Sequence, residues 1–215
     1  MKQIHIAFTA LTALTALAGL GAVAFIIAPD ELAAQVVGRP APNFTLADAN
    51  GRSVSLSDFR GRTVVLEWNN PGCPFVQKHY GSGNMQRTQA AAARAGAVWL
   101  TINSGAPGKQ GHMNGTEANA FVARSEARPS HYLLDPAGDV GRAYGARTTP
   151  HMYIVNGTGS LVYAGAIDDR PTANPADIEG ARNHVLAALS DLEAGRAVRV
   201  ASSRPYGCTV KYADS

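Results

Sequence analysis

The 215-residue sequence predicts an α/β protein in which a mixed central sheet is flanked by helices. Three observations carry this. Two apolar, β-branched runs, Val64–Trp68 and Ala97–Asn103, are joined by a segment of helical character, which makes a strand–helix–strand unit. Later, Asn156-Gly157-Thr158-Gly159 separates Met152–Val155 from Leu161–Ala164 as a hairpin turn would, adding antiparallel strands. Beyond the hairpin, Asn174-Pro175-Ala176-Asp177 supplies a cap, an early proline and an acid for a closing helix. A hydrophobic content of 46% over this length suffices for one core. The net charge of +3 is spread over scattered arginines with no basic stripe, so no nucleic-acid partner is expected.

The elements follow in order. Ile4 to Ala28 carries no charge, follows Lys2 and ends at Pro29-Asp30-Glu31. It fits a signal peptide with a small-residue site at Ala22-Val23-Ala24, or a membrane tether through residues 4–28, since a 25-residue helix reaches about 37 Å. Residues 1–34 are therefore assigned to signal or anchor with spacer, residues 37–198 to the domain, and residues 199–215 to a C-terminal tail. Either N-terminal reading exports the domain, to the periplasm, where a disulfide persists. Within the domain, Asn50-Gly51 lies between Phe44–Asp48 and Ser53–Leu56 as a hairpin. After Val64–Trp68, a helix from Pro74 is interrupted at Gly81-Ser82-Gly83 and resumes with Asn84 as cap. Ser104 to Asn114 reads as a loop, Thr116 to Ala127 as a helix, His131–Leu134 as a short strand, and Asp139 to Tyr144 as a short helix. The closing helix runs to Gly195 with Ile178, Arg182, Val185, Leu189 and Leu192 along one stripe.

The chemistry centres on Cys73, one of two cysteines. Pro71-Gly72 ends the strand, and Pro74 suits the first turn of a helix. A sulfur at a helix N-terminus is favoured as thiolate by free N–H groups and the macrodipole. A buried structural cysteine is the alternative. The second cysteine, Cys208, sits in Arg204-Pro205-Tyr206-Gly207-Cys208 of the tail. A pairing of the two is the simplest hypothesis for an exported protein, either as a resolving thiol or as a structural disulfide.

The segment from about Val37 to Val198 resembles the thioredoxin-like redoxin superfamily, in the branch of alkyl hydroperoxide reductase and thiol-specific antioxidant proteins. The pieces that carry this are Pro40-Ala41-Pro42-Asn43-Phe44-Thr45-Leu46, Val54–Phe59, Val64–Trp68 with Cys73, and Thr148-Thr149-Pro150. Cys73-Pro74-Phe75-Val76 and Lys78–Met85 point to a peroxiredoxin-like group within it. The resemblance implies a thioredoxin-like fold with an N-terminal β-hairpin extension. It also places Cys73 as attacking cysteine, Thr149-Pro150 as the cis-proline loop facing it, and Glu67 as the buried acid behind the site, with a raised pKa suited to proton relay. Two signatures are incomplete. The second position of a Cys-x-x-Cys is Val76, and Leu66 and Asn70 stand where peroxiredoxins carry Pro and Thr. The Asn70 amide is expected to donate a hydrogen bond in that threonine's place.

The expected function is an exported thiol–disulfide oxidoreductase with Cys73 as nucleophile and Cys208 as resolving thiol. Its partners would be a protein or small-molecule disulfide, or a peroxide, and an external thiol reductant. A thiol peroxidase and a non-enzymatic metal- or partner-binding protein are the alternatives. No cofactor and no metal are expected, although Cys73, His79 and a third histidine among His112, His131 and His151 could make a soft metal site. His151 and Arg147 are further candidates for neighbours of the sulfur.

Overall fold

The computed structural model describes residues 37–213; the signal or anchor assigned to residues 1–34 lies outside them. Among the described residues no helix is long and apolar enough to cross a membrane. The strands are β1 (Thr45–Asp48), β2 (Ser53–Ser55), β3 (Val64–Trp68), β4 (Val98–Asn103), β5 (His131–Leu134), β6 (Thr148–Thr149), β7 (His151–Val155), β8 (Leu161–Gly165) and β9 (Cys208–Thr209). The helices are α1 (Pro74–Gly81), α2 (Asn84–Arg94), α3 (Gly115–Arg124), α4 (Asp139–Ala143) and α5 (His184–Glu193).

Seven strands form one sheet in the order β2-β1-β5-β4-β3-β7-β8. Strands β3, β4 and β5 are parallel, and the pairs β1–β2, β1–β5, β3–β7 and β7–β8 are antiparallel, so the sheet is mixed as expected. The N-terminal hairpin β1–β2 extends one edge. Every residue of β3 is buried, because both faces of the sheet are covered. Val65 belongs to a core shared with Tyr80, Met85, Ala92, Trp99, Phe121 and Leu189 of the strands and helices on one face. Val64, Leu66 and Trp68 point to the other face, onto Phe44, Val140 and Tyr144. The period-2 alternation of a strand thus sends Glu67 to the same face as Val65.

Two expected helix limits are corrected. Asn84 does not cap α2: Gly83, at φ +72°, is the cap, and the Asn84 side chain bonds His79 instead. The closing helix does not start at Asn174. Pro175–Ile178 is one 3₁₀ turn, Gly180 at φ +73° breaks the path, and Asn183 caps a new start by accepting from the Leu186 N–H. Ile178 and Arg182 therefore lie off the α5 stripe.

The tail is not loose. Ser203 N–H donates to the Ala164 carbonyl along β8 at 3.2 Å, and Val210 N–H donates to the Arg147 carbonyl at 2.9 Å. Ala106 N–H of the loop after β4 donates to the Lys211 carbonyl at 2.8 Å. Between these ties, β9 pairs with β6 as a separate two-stranded sheet, with Thr148 opposite Thr209 and Thr149 opposite Cys208.

Candidate active site

The strand–turn–helix at the end of β3 fixes Cys73. Its N–H donates to the Asn70 carbonyl at 3.0 Å, its carbonyl accepts from Gln77 N–H at 2.9 Å, and it stands as N-cap with Pro74 at the first helical position. The Asn70 side chain braces the turn from inside. Its Oδ1 accepts from Gly72 N–H at 2.9 Å, and its Nδ2 donates to Gln110 Oε1 at 3.0 Å. Asn70 thus does not take the place of the missing threonine at the sulfur; it ties the turn to the Ser104–Asn114 loop.

Cys73 is 0% exposed. The Thr149–Pro150 peptide is cis, and the Cys73 thiol donates to the Thr149 carbonyl at 3.0 Å. The third side of the sulfur is the tail: Cys208 N–H donates to Cys73 Sγ at 3.4 Å. Both cysteines are free thiols here. Gly207 makes the approach feasible. It lies at φ +136°, and a Cβ there would fall 2.0 Å from the Thr149 carbonyl oxygen.

These contacts split the two thiols. Burial opposes ionisation of Cys73, but the Cys208 thiol and N–H, the Val76 N–H and Thr149 outweigh it, and its pKa is lowered. Cys208 is pushed up to about 11 by burial and then by the hydrogen bond and charge of Cys73. Of the two thiols, Cys73 is thus the one that gives up its proton more readily.

Glu67 is 0% exposed. Its carboxyl accepts from Tyr80 Oη at 2.8 Å, Trp99 Nε1 at 2.9 Å, Asn69 Nδ2 at 3.0 Å and Thr101 Oγ1 at 3.1 Å. Burial raises its pKa although all four donors pull the other way. Through Tyr80 it holds α1, the helix that starts at Cys73. His151 is buried, with Nδ1 facing Tyr153 Oη at 3.2 Å and Arg147 N–H at 3.4 Å. Burial, and next the Arg147 charge, lower its pKa to about 3 and keep the ring neutral. His79 faces Tyr206 and Asn84. Among the described residues, no group of three or more His, Cys, Asp or Glu side chains is arranged to hold a metal ion.

The structure therefore brings Cys73, Cys208, Thr149 and Pro150 together and sets Glu67 behind the helix. Sequence reasoning missed Gly207, Tyr206 and Asp168. A glycine directly before the tail cysteine was the available signal for close backbone approach.

Comparison with known proteins bears on the family and the fold. Peroxiredoxin Q of rice (Oryza sativa subsp. japonica) is 55% identical over 40 residues, 17% of this chain and 18% of that protein. The thiol-disulfide oxidoreductase ResA of Bacillus subtilis is 25% identical over 132 residues, covering 58% of this chain and 64% of ResA. The chain thus spans under two thirds of the length of either relative. Among solved structures, a hypothetical protein of Sinorhizobium meliloti 1021 superposes with a TM-score of 0.70 at 25% identity, over 83% of this chain and 96% of that one. The AhpC/TSA family model matches residues 37–164, more than half of the chain. With the thioredoxin-like sheet, the cis-proline loop and the cysteine turn in place, the chain belongs to the AhpC/TSA family of the thioredoxin-like redoxin superfamily.

Proposed function

We propose that the protein is an exported thiol–disulfide oxidoreductase in which Cys73 attacks and Cys208 resolves. One observation carries this: β9 delivers Cys208 N–H to within 3.4 Å of Cys73 Sγ, in register with Thr149. The Cys73 thiolate attacks one sulfur of a partner disulfide, that S–S bond breaks, and one partner sulfur leaves as thiolate and takes up a proton. Cys73 is then a neutral mixed disulfide. The hydrogen bond and charge that hold up the Cys208 pKa are gone, and only burial still raises it. Cys208 loses its proton to solvent and attacks Cys73 Sγ, expelling the second partner thiolate. The partner gains two electrons, the cysteines form a disulfide, and an external thiol reductant returns them to thiols. The resolver becomes competent only after the first step has occurred.

Glu67 serves from behind, as a buried proton store bonded to Tyr80. Export rests on residues 1–34 as signal or anchor, with residues 37–198 as the domain and 199–215 as the tail that carries the resolver.

The 40-residue likeness to peroxiredoxin Q favours a second reading, a thiol peroxidase. There Cys73 attacks a peroxide, forming Cys73–SOH and an alcohol or water. Cys208 then condenses with it to release water and leave the same disulfide. Stopped-flow mixing of the reduced protein with hydrogen peroxide or with a small disulfide, followed by Trp68 and Trp99 fluorescence, separates the two. We expect the disulfide to react at least tenfold faster than it does with an ordinary thiol, and peroxide to show no such gain. The opposite order makes the protein a peroxidase. A Cys208→Ser variant that turns over at the full rate removes the resolver from both schemes.

A further inference from the structure

Two motifs are used only in part by the chemistry above: Lys78–Met85, which follows the Cys73 turn, and Arg204–Cys208, which ends in the resolver. In the structure they are two halves of one junction. The Tyr206 hydroxyl donates to Asp168 Oδ1 and faces His79 Nε2 at 3.1 Å. Asn84 Nδ2 occupies the other ring nitrogen, Nδ1, at 2.8 Å. A donor at Nδ1 assigns the proton to Nε2, so the chain of donors runs Asn84 to His79 to Tyr206 to Asp168. The Tyr206 ring packs against Phe75 with centroids 5.8 Å apart, and Lys78 Nζ lies 5.6 Å from its centroid. Lys78 Nζ is itself spent on the Arg170 carbonyl at 2.8 Å. Phe75, Lys78 and His79 all belong to α1, the helix that begins at Cys73. His79 and Asp168 are both buried, at 0% and 2% exposure.

We infer that Tyr206 is a positioning residue for the exchange between the two cysteines: its hydroxyl, gripped by His79 and Asp168, latches the tail to α1 so that Cys208 two residues on meets Cys73. This rests on the oxidoreductase reading. The first attack, by Cys73 on the partner disulfide, does not use the latch. The second, in which Cys208 attacks Cys73 Sγ and the partner thiolate leaves, depends on how often the tail is seated, which is an effective concentration.

The two steps can be read apart in the full-length protein. The reduced chain is mixed with excess dithiobis(nitrobenzoate), an aromatic disulfide. Attack by Cys73 releases a first coloured thiolate and resolution by Cys208 a second. In Tyr206→Phe, which keeps the ring and its packing, we expect the second release to slow about tenfold, the scale of a lost charge-assisted hydrogen bond. The first should change far less, because exposure of Cys73 as the tail lifts offsets the loss of the Cys208 contacts that lower its pKa. Asp168→Asn, which leaves Tyr206 in place, should slow the second release in the same way, and the double variant should be little worse than either single one. Quenched samples examined by intact-mass spectrometry would identify the stalled species as the mixed disulfide.

An unchanged second release in Tyr206→Phe overturns the inference, as does a parallel slowing of both steps with a lowered melting temperature, which marks a structural role only. A wild type that never gives the second release, or never forms the Cys73–Cys208 disulfide, fails earlier and takes the oxidoreductase reading with it. Should Tyr206→Phe not fold, Asp168→Asn alone decides by the same criterion.

Discussion

The two cysteines meet at one point but reach it by opposite means. Cys73 stands on a turn whose backbone bonds close within the turn and α1, backed by a strand buried on both faces. Cys208 stands on a strap with little regular structure of its own, held to the domain by ties at intervals: Ser203 on β8, Tyr206 on α1, a two-residue ladder at Thr149, and Tyr212 farther on. The first arrangement fixes a sulfur at a helix N-terminus, where the Val76 N–H helps to lower its pKa; the second sets Cys208 beside it, whose thiol and N–H lower that pKa further while its own is raised. The difference teaches that the position of Cys73 is built into the core, while resolution and the larger share of its acidity are built into a docking equilibrium. A strap of separate ties can be loosened without moving the turn that carries Cys73, which a disulfide exchange needs if a partner is to reach that sulfur.

The sharpest way to break this arrangement is at Gly207. An alanine there places a Cβ 2.0 Å from the Thr149 carbonyl oxygen at a φ of +136° that side chains rarely adopt. The strap must withdraw. We expect the equilibrium constant for the Cys73–Cys208 disulfide to fall about a hundredfold, because strain and clash together cost about 3 kcal/mol. Alkylation of Cys73 by iodoacetamide should quicken at the same time. Intact-mass spectrometry of quenched samples reads both, and an unchanged disulfide yield would show that β9 is not the docked element.

How much of this was legible follows the same division. The Cys73 turn could be found because its causes are local: a β-branched run, a Pro-Gly break, and a proline at the first helical position. Thr149-Pro150 was legible only through the family resemblance. The strap was not legible, because its placement depends on contacts between residues far apart in the chain, such as Tyr206 with Asp168 and Tyr212 with Ala146. Asn70 was misassigned for a related reason. Its position three residues before Cys73 suggested a donor to sulfur, but the partner it finds, Gln110, comes from a loop whose path no local pattern fixes. Likewise the closing helix looked continuous from Asn174, and the left-handed Gly180 and the Asn183 cap divide it.

A second effect tests the junction between the two regions. Burial holds the His79 pKa down to about 4, against about 6.5 in an unfolded chain, although Asp168 nearby pulls it upward. The unfolded state therefore binds more protons between these values. The contribution is fully present above pH 6.5 and is lost as the pH falls towards 4. We expect wild type to lose about 2–3 kcal/mol more than His79→Gln between pH 7 and pH 4.5, a difference that isolates this ring from His151 and the other buried histidines. Urea unfolding of both proteins across that range measures it. Parallel curves would mean that His79 is protonated in the folded state and that the donor chain through Tyr206 runs differently.

The smallest effect is expected at the far end of the strap. Tyr212 Oη donates to the Ala146 carbonyl at 2.7 Å, and its ring lies under the Arg142 guanidinium at 4.7 Å from the centroid. It also covers Gly138 and Gly141, where an added Cβ would come within 2.5 and 2.4 Å of Tyr212 atoms. Tyr212→Phe removes only the hydrogen bond, worth about 1 kcal/mol or roughly a fivefold change in docking. In a Cys208→Ser background, where no disulfide can form, iodoacetamide alkylation of Cys73 reports docking directly. It should quicken by about that factor, and by less than with Tyr206→Phe, since the Tyr206 hydroxyl is held by two buried partners, His79 and Asp168. A larger effect from Tyr212 would reverse the direction of opening: the strap would then peel from its C-terminal end, with Cys208 leaving Cys73 before Tyr206 leaves α1.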